Sequence, residues 1–452
     1  MKKWIFAFAL LFLAIPCQAR IISVDDDGTA DFNNIQAAIN DSNDGDIIEV
    51  QPGIYTGEGN RNIDAGPGGV ENIVVRSANG PQNCIIDGQG ANYGFNFDRL
   101  MYDLYLPIIL LEGFTITNCK TAIYLHQPGD LPDIKNCIIT GNSDDFCAGI
   151  FCCEWCTFEI SECTIKDNIG SGIVCIATSR PTISNCIISN NSTNGPGGGF
   201  YIDSWSEPTI RNCIISGNRA SSGGGLYVTY ESEPTIINCT IIGNKANSGG
   251  GASCVESSFT HLRNSIIWDN TAAEGPNLFW YYGHFDFDFT IFWQGFDNDP
   301  CFVSPGYWAD ANDPNIPVEP NDPNAVWIDG DYHLQSAAGR WDTNTNTWVI
   351  DANTSKCIDA GNPGSNWTEE LWPHGKRINI GAFGATPQAS MSLSDEGNIA
   401  DLNNDNLVDY KDLMLLSDDW LYQQILLSED LDRNGVVDLV DCAILADNWL
   451  WP

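Results

Sequence analysis

The sequence predicts an all-β protein wound as a right-handed parallel β-helix, with a small α-helical module behind it. An Asn-Cys-Ile-Ile pattern recurs through the middle of the chain. Its anchors are Cys137, Cys163, Cys186, Cys213, Cys239 and Ser265, in steps of 26, 23, 27, 26 and 26 residues. Each unit holds short β-branched runs separated by Gly, Asn and Pro, and no run is long enough for a crossover helix. Near the C-terminus two acidic loops share one spacing, and an apolar helical stretch follows each. A chain of 452 residues is long for one compact core but not for a solenoid that grows along an axis.

Residues 1–19 read as an export leader. Met1-Lys2-Lys3 is basic, residues 4–16 are apolar, and Cys17-Gln18-Ala19 offers a small-residue cleavage site. The apolar run is short for a membrane span. Cleavage after Ala19 is expected, giving a secreted or cell-surface protein. Cys17 leaves a lipoprotein alternative, for which Ile15-Pro16 makes a poor lipidation box. The net charge of −39 becomes −41 once Lys2 and Lys3 leave. Such a charge argues against nucleic acid and anionic membrane surfaces, and disfavours a polyanionic glycan unless calcium bridges the two.

Residues 20–386 are assigned to the β-helix and its terminal caps. Phe32, Ile35 and Ile39 fall on one face of a short helix, with Asp31 as its cap. That helix would cover the open end of the solenoid. In the coils, three short strands per unit hydrogen-bond to their equivalents above and below. One place before the anchor stand Asn136, Asn185, Asn212, Asn238 and Asn264, with Glu162 the exception; five places after it stand Asn142, Asn168, Asn191, Asn218, Asn244 and Asn270. Asparagine tolerates left-handed turns and its amides form ladders, so these columns read as structure. The anchor cysteines read as a buried stack of small hydrophobes rather than disulfides, because in-register neighbours point the same way. Earlier anchors are placed at Cys84 and Cys119. Cys147, Cys152, Cys153 and Cys156 form a denser cluster, open to a local disulfide or, less well, a thiolate metal site.

With Gly45-Asp46-Ile47-Ile48-Glu49-Val50 and Pro52-Gly53-Ile54-Tyr55 behind it, the helical opening resembles that of pectinesterase-like and related β-helix proteins of the pectin lyase-like superfamily. The resemblance implies a helix over the first coil. Residues 297–325, rich in Asp, Asn and Pro, read as a loop. Asp331-Tyr332-His333-Leu334-Gln335, Cys357-Ile358-Asp359-Ala360-Gly361 and Ile378-Asn379-Ile380-Gly381-Ala382-Phe383 resemble the closing segments of bacterial secreted or surface-anchored β-helix proteins. They imply a cap ending near Thr386, in which His333 and Asp359 are structural.

Residues 387–400 read as a linker and 401–452 as a separate domain. Its loops are Asp401-x-Asn403-x-Asp405-x-Leu407-x-Asp409-x-x-Asp412 and Asp430-x-Asp432-x-Asn434-x-Val436-x-Asp438-x-x-Asp441. Positions 1, 3, 5, 7, 9 and 12 are those of EF-hand-type loops, with Leu407 and Val436 offering carbonyls, so each loop can wrap one Ca²⁺. The acid at position 12 is Asp, not the usual Glu, and no helix enters the first loop. Both departures match the dockerin type I pattern, which residues 401–452 resemble. That resemblance implies two calcium ions and docking to a cohesin-like protein.

No catalytic residue is assigned. The Gly-His-Gly and Asn-Thr-Asp of polygalacturonase-like proteins and the catalytic segments of pectinesterase-like ones are missing. Lys135, Arg211 and Arg263 share one phase and read either as a basic stripe or as solvated strand residues. Asp144-Asp145 resembles the paired acids of glycoside hydrolases, and a turn explains it equally well. One pattern points to binding. After each glycine turn the outward position is Phe151, Val174, Tyr201, Tyr227, Ser253 and Phe279, with Trp155, Trp205 and Tyr230 close by and Trp280, Tyr281 and Tyr282 ending the row. Flat apolar rings suit sugar faces, and Asp203 and Glu231 suit hydroxyls. Either this row contacts polysaccharide, or a long loop or residues 284–325 cover it as core and the row is structural. The functional readings are a polysaccharide-contacting protein with an attachment tail, a polysaccharide lyase or glycoside hydrolase with unrecognised catalytic residues, and a non-catalytic adhesin-like surface protein.

Overall fold

The computed structural model describes residues 19–64, 72–98, 108–126, 129–292, 299–394 and 396–451. The leader reading falls on residues 1–18, outside the described residues. Short β-branched runs broken by left-handed turns give three strands per coil. The first face is an 11-stranded parallel sheet in chain order, from Ile21–Val24 to His284–Asp288. The second and third faces share a 16-stranded sheet, joined where Cys84–Asp98 and Thr115–His126 run from one to the other. Inward residues of all three faces form one continuous core of Ile, Val, Leu, Phe and Cys. Among the described residues no helix is long and apolar enough to cross a membrane.

The columns stack in register. Ile138, Thr164, Ile187, Ile214, Thr240 and Ile266 pair in succession, which aligns the anchors just before them. The residues preceding the anchors turn the chain in the left-handed region, from Asn264 at φ 46° to Glu162 at 57°. The later asparagines form a buried ladder. Each Nδ2 donates to the next Oδ1, from Asn142 to Asn168 (3.0 Å) through Asn218 to Asn244 (3.0 Å) and on to Asn270 (3.0 Å). All 16 cysteines among the described residues are unpaired. Burial pushes the Cys84 thiol up to about 12. In the denser cluster, Cys152 Sγ lies 3.3 Å from Cys175 Sγ in the next coil, and Cys156 Sγ lies 3.1 Å from Ser179 Oγ.

Three expectations shift. Phe114, not Cys119, fills the anchor column between Cys84 and Cys137, because Ile85, Thr115 and Ile138 are the paired residues. Cys119 stands instead where the ladder begins, its N–H donating to Asn142 Oδ1 (2.9 Å). Helix α1 (Ile35–Asp41) starts later than expected: Asn34 caps it, accepting from the Ala37 N–H (2.8 Å), while Asp31 accepts from Ser23. Its Ile35, Ala38 and Ile39 enter the core. Finally, within residues 297–325, read as a loop, stand the strands Phe302–Ser304, Tyr307–Asp310 and Asp313–Pro317; Ala325–Ile328 follows. They pair antiparallel and supply a second core with Trp308, Trp327 and Tyr332.

That core roofs the second face. Trp327 lies across Gly217 and Gly243, where a Cβ would run into its ring and where φ is +61° and +65°. Its backbone is held at both ends by Asn190, with N–H to Oδ1 at 3.0 Å and carbonyl from Nδ2 at 2.9 Å. Arg219 stacks on Trp308 at 4.3 Å. Further along, Asn212 and Asn238 donate to Ala382 and Gly384 carbonyls (3.0 Å each).

Candidate functional site

On the third face the chain alternates inward and outward residues. Ile202 and Val228 point in and are fully buried. Between them, register places Tyr124, Phe151, Val174, Tyr201, Tyr227, Ser253 and Phe279 in one outward column. Phe151 to Phe279 is the row read from sequence. Tyr124 extends it, and sequence reasoning missed it because its coil carries Phe114 in place of the cysteine anchor. Tyr124 stacks on Phe151 (centroids 5.0 Å) and Tyr201 on Tyr227 (5.7 Å). Phe146 bridges the gap at Val174, meeting Tyr201 edge-on at 5.2 Å. The rings half-bury one another. The described residues of 284–325 do not cover this row: His284–Asp288 completes the first face, and the strands from Phe302 to Ile328 lie in the core over the second.

The turn after each third-face strand uses two successive left-handed residues: Glu154 and Trp155, Ser204 and Trp205, Tyr230 and Glu231. That conformation costs a non-glycine residue about 1–2 kcal/mol. Here the stacked turns hydrogen-bond to each other, as from the Trp205 N–H to the Tyr230 carbonyl (3.0 Å). A serine ladder runs beside them, each N–H of Ser179, Ser206 and Ser232 donating to the hydroxyl of the next coil at 3.2 Å. These turns throw their aromatics outward: Trp155 is 65%, Trp205 55% and Tyr230 57% exposed. Trp280, Tyr281 and Tyr282 lie exposed at the C-terminal end of the row, above half-buried Phe279.

Carboxylates accompany the rings. Tyr201 donates to Asp203 (3.0 Å) and the Trp205 indole N–H to Glu231 (3.4 Å). Burial, then the Asp203 charge, pushes the Tyr201 phenol above its usual range. At the head of the row, His126 stands between two acids, with Nδ1 3.1 Å from Asp98 and Nε2 3.3 Å from Glu154. No motif announces this trio, since its members lie 28 residues apart, one per coil.

Other candidates resolve as structure. Lys135, Arg211 and Arg263 do not make a basic stripe; each meets an acid, Glu162 (3.6 Å), Glu159 (3.5 Å) and Asp286 (2.6 Å). Asp144 lies not in a turn but within the strand Ser143–Cys153, at a shift of its register, where its Oδ1 accepts the Phe146 N–H (2.9 Å). Buried His333 bonds Asp331 (2.6 Å) and stacks on Phe383 (3.6 Å) within the roof. Asp359 accepts the Gly375 N–H (2.9 Å).

Residues 401–452 form two loop–helix units, with α2 (Tyr410–Asp418) and α3 (Leu439–Asp447), around a core of Ala400, Val408, Leu416, Leu431, Val437 and Leu445. The loops match atom for atom. Asp401 accepts from the Asp405 N–H (3.1 Å) and Asp430 from the Asn434 N–H (3.1 Å). Asp412 and Asp441, fully buried, accept from the N–H of Asn403 and Asp432 (3.1 Å each) and close capping boxes with Asp409 and Asp438. Carboxylate oxygens of Asp430, Asp432 and Asp441 come within 4.8 Å of one another. Burial raises the Asp401 and Asp430 carboxyls above their usual range despite backbone N–H bonds, and neighbouring acids add to the rise. The second loop's donor set fits a hard divalent cation: convergent, all oxygen, and buried at Asp430 and Asp441 with Asp432 exposed. Lys411 reaches Asp405 (2.6 Å) in the first loop. In the second, Arg433 turns away, lying over Trp348 (5.3 Å) and bonding the Trp372 carbonyl.

The family model "Right handed beta helix region" matches residues 22–196 and 156–288, together more than half of the chain. The chain belongs to the right-handed β-helix family. No curated protein matches it. Among solved structures, the crystal structure of pectate lyase Pel9A is similar, with a TM-score of 0.38 and 16% identity over 80% of this chain and 96% of that one. A likeness at that score carries no argument about activity.

Proposed function

We propose that this chain is an exported or surface-held β-helix protein that contacts polysaccharide along its third face, and that residues 401–452 are a dockerin-like module attaching it to a cohesin-like partner. The observation that carries the first part is the uncovered aromatic column with carboxylates bonded beside it. Rings with one polar handle present flat apolar surface while their acids accept hydroxyls. In this reading residues 1–19 are the leader and α1 covers the first coil. Two Ca²⁺ ions are held by Asp401, Asn403, Asp405, Asp409 and Asp412 with the Leu407 carbonyl, and by Asp430, Asp432, Asn434, Asp438 and Asp441 with the Val436 carbonyl. The cation neutralises buried acids that otherwise oppose folding. A second reading, a polysaccharide lyase or glycoside hydrolase, is favoured by the cluster of His126 with Asp98 and Glu154 at the head of the row, which gathers side chains of the acid–base type in one place.

Two measurements test the proposal. Tyr201→Ala with Tyr227→Ala should keep the fold by circular dichroism and lose retardation in glycan-loaded affinity gels; retardation equal to the parent's would remove the third face from the reading. Calcium titrated into chelator-stripped full-length protein should give about two sites per chain, and about one after Asp441→Ala. No binding heat would remove the calcium module.

A further inference from the structure

The third face carries acids and little free positive charge, and this bears on which polysaccharide it takes. Resting on the reading above, we infer that its ligand is an uncharged, hydroxyl-rich glycan lying along the solenoid axis, and that acidic glycans are excluded without any metal.

The first argument is donor and acceptor count. Asp203 and Glu231 each take one bond from the row, from the Tyr201 hydroxyl and the Trp205 indole N–H. In the next coil Glu256 accepts from the Thr229 hydroxyl (3.0 Å). Every carboxylate keeps further lone pairs and offers nothing but acceptors. A matching ligand must bring donors, and sugar hydroxyls do. A uronate or sulfate brings acceptors and a like charge.

The second argument is the state of the cations. His126 has both ring nitrogens occupied by Asp98 and Glu154. Arg180, beside the turn column, is held by both carboxylate oxygens of Glu207 (3.0 and 3.1 Å). Lys120 lines a hollow with Tyr93, Tyr124, Phe146 and Phe151, but Asp144 lines it too. Among the described residues a polyanion therefore meets excess negative charge from Asp203 to Glu256.

The third argument is direction. Trp155 and Trp205 stand two coils apart and Tyr230 one coil further, while Trp280 to Tyr282 stand two coils beyond that. At about 4.8 Å per coil the exposed rings span about 24 Å along the axis. Across the axis the row runs only from the strand column at Phe279 to the turn at Tyr282, about 10 Å, so the strip is longer along the axis than across it. An extended chain fits that strip lengthwise.

The test uses full-length protein in EDTA at low salt, with hydroxyethyl cellulose, galactomannan, polygalacturonate and chitosan as separate affinity-gel probes. At least one neutral polymer should retard the protein, with polygalacturonate at least about tenfold weaker. Trp205→Ala should weaken neutral retardation. Asp203→Asn with Glu231→Gln should narrow the gap between neutral and acidic polymers. Retardation by polygalacturonate equal to the best neutral polymer would overturn the inference and leave the polysaccharide reading standing. Stronger retardation by chitosan, lost in the Asn/Gln pair, would overturn it in favour of a cationic ligand. No retardation by any probe would overturn the polysaccharide reading itself.

Discussion

The second and third faces of the solenoid both project apolar side chains outward, yet one is roofed and the other is open. The second face shows Ile214 and Ile266, and residues 302–383 close over them with Trp327, Tyr332 and Phe383, while Ile187 at the margin of the roof stays 37% exposed. The third shows Tyr201, Tyr227, Trp155 and Trp205, and nothing in that segment reaches it. The difference lies in the chemistry of the side chains. An aliphatic row has no use for water and gains by burial, about 25 cal/mol per Å². Tyrosine and tryptophan have polar handles, and here those handles bond to acids on the same face. Their rings cover each other enough to tolerate solvent. The open row is thus mixed: Tyr201 and Trp205 carry handles bonded to acids, while Phe151 is covered in part by the rings of Tyr124 and Phe146.

This contrast can be broken first at the roof. Trp327 is 3% exposed and carries the contact with Gly217 and Gly243. Trp327→Ala should cost about 3–5 kcal/mol in denaturant unfolding, as large aromatic truncations in cores do. A loss under about 1 kcal/mol would mean that the roof adds little to the solenoid.

A smaller effect sharpens the same contrast through pH. Glu370 holds the roof segment that bonds Asn212 and Asn238, its Oε1 accepting from the N–H of Asn379 and Ala385 (2.8 Å each). Burial lifts its carboxyl to about 8. A folded-state value above the unfolded one of 4.5 means that the folded protein binds the extra proton between these values. Stability should therefore be full below pH about 4.5, fall as pH rises between about 4.5 and 8, and level off above about 8. Glu370→Gln keeps the Oε1 acceptor and should flatten this part of the melting-temperature profile. Parallel profiles for variant and parent would exclude Glu370 as its source.

Smallest of all, Trp205→Ala on the open face should move stability by no more than about 0.5 kcal/mol. A cost near that of Trp327→Ala would make the two faces equivalent and end the comparison.

The coil repeat was legible because stacking forces like residues into like places. Six anchors and six ladder asparagines declared the register, and from it came the outward row to the residue. What stayed hidden was whatever breaks the repeat. Phe114 replaces an anchor and so concealed Tyr124. The roof was read as loop because its antiparallel strands are short and crowded with Asp, Asn and Pro, and their partners are glycines far away in sequence. The Asp98–His126–Glu154 trio arises only when three coils are stacked, and no local spacing encodes it.

The asparagine ladder has an arrow. Each amide from Asn142 to Asn244 gives one N–H to the next asparagine oxygen toward the C-terminus and the other to a carbonyl one coil back, as Asn218 does to Ile188 (2.8 Å); the run of side-chain oxygens begins with the Cys119 N–H on Asn142 and ends where Asn277 donates to the Phe292 carbonyl (2.9 Å). Losing one rung orphans a donor on one side and an acceptor on the other, both in a dry interior. Losing a whole coil orphans neither, since the amide below meets an identical oxygen above. The length of this protein is therefore counted in whole turns: evolution can lengthen or shorten it by duplicating or excising a complete coil, while a change of a single residue inside one would have to be expelled into a surface turn.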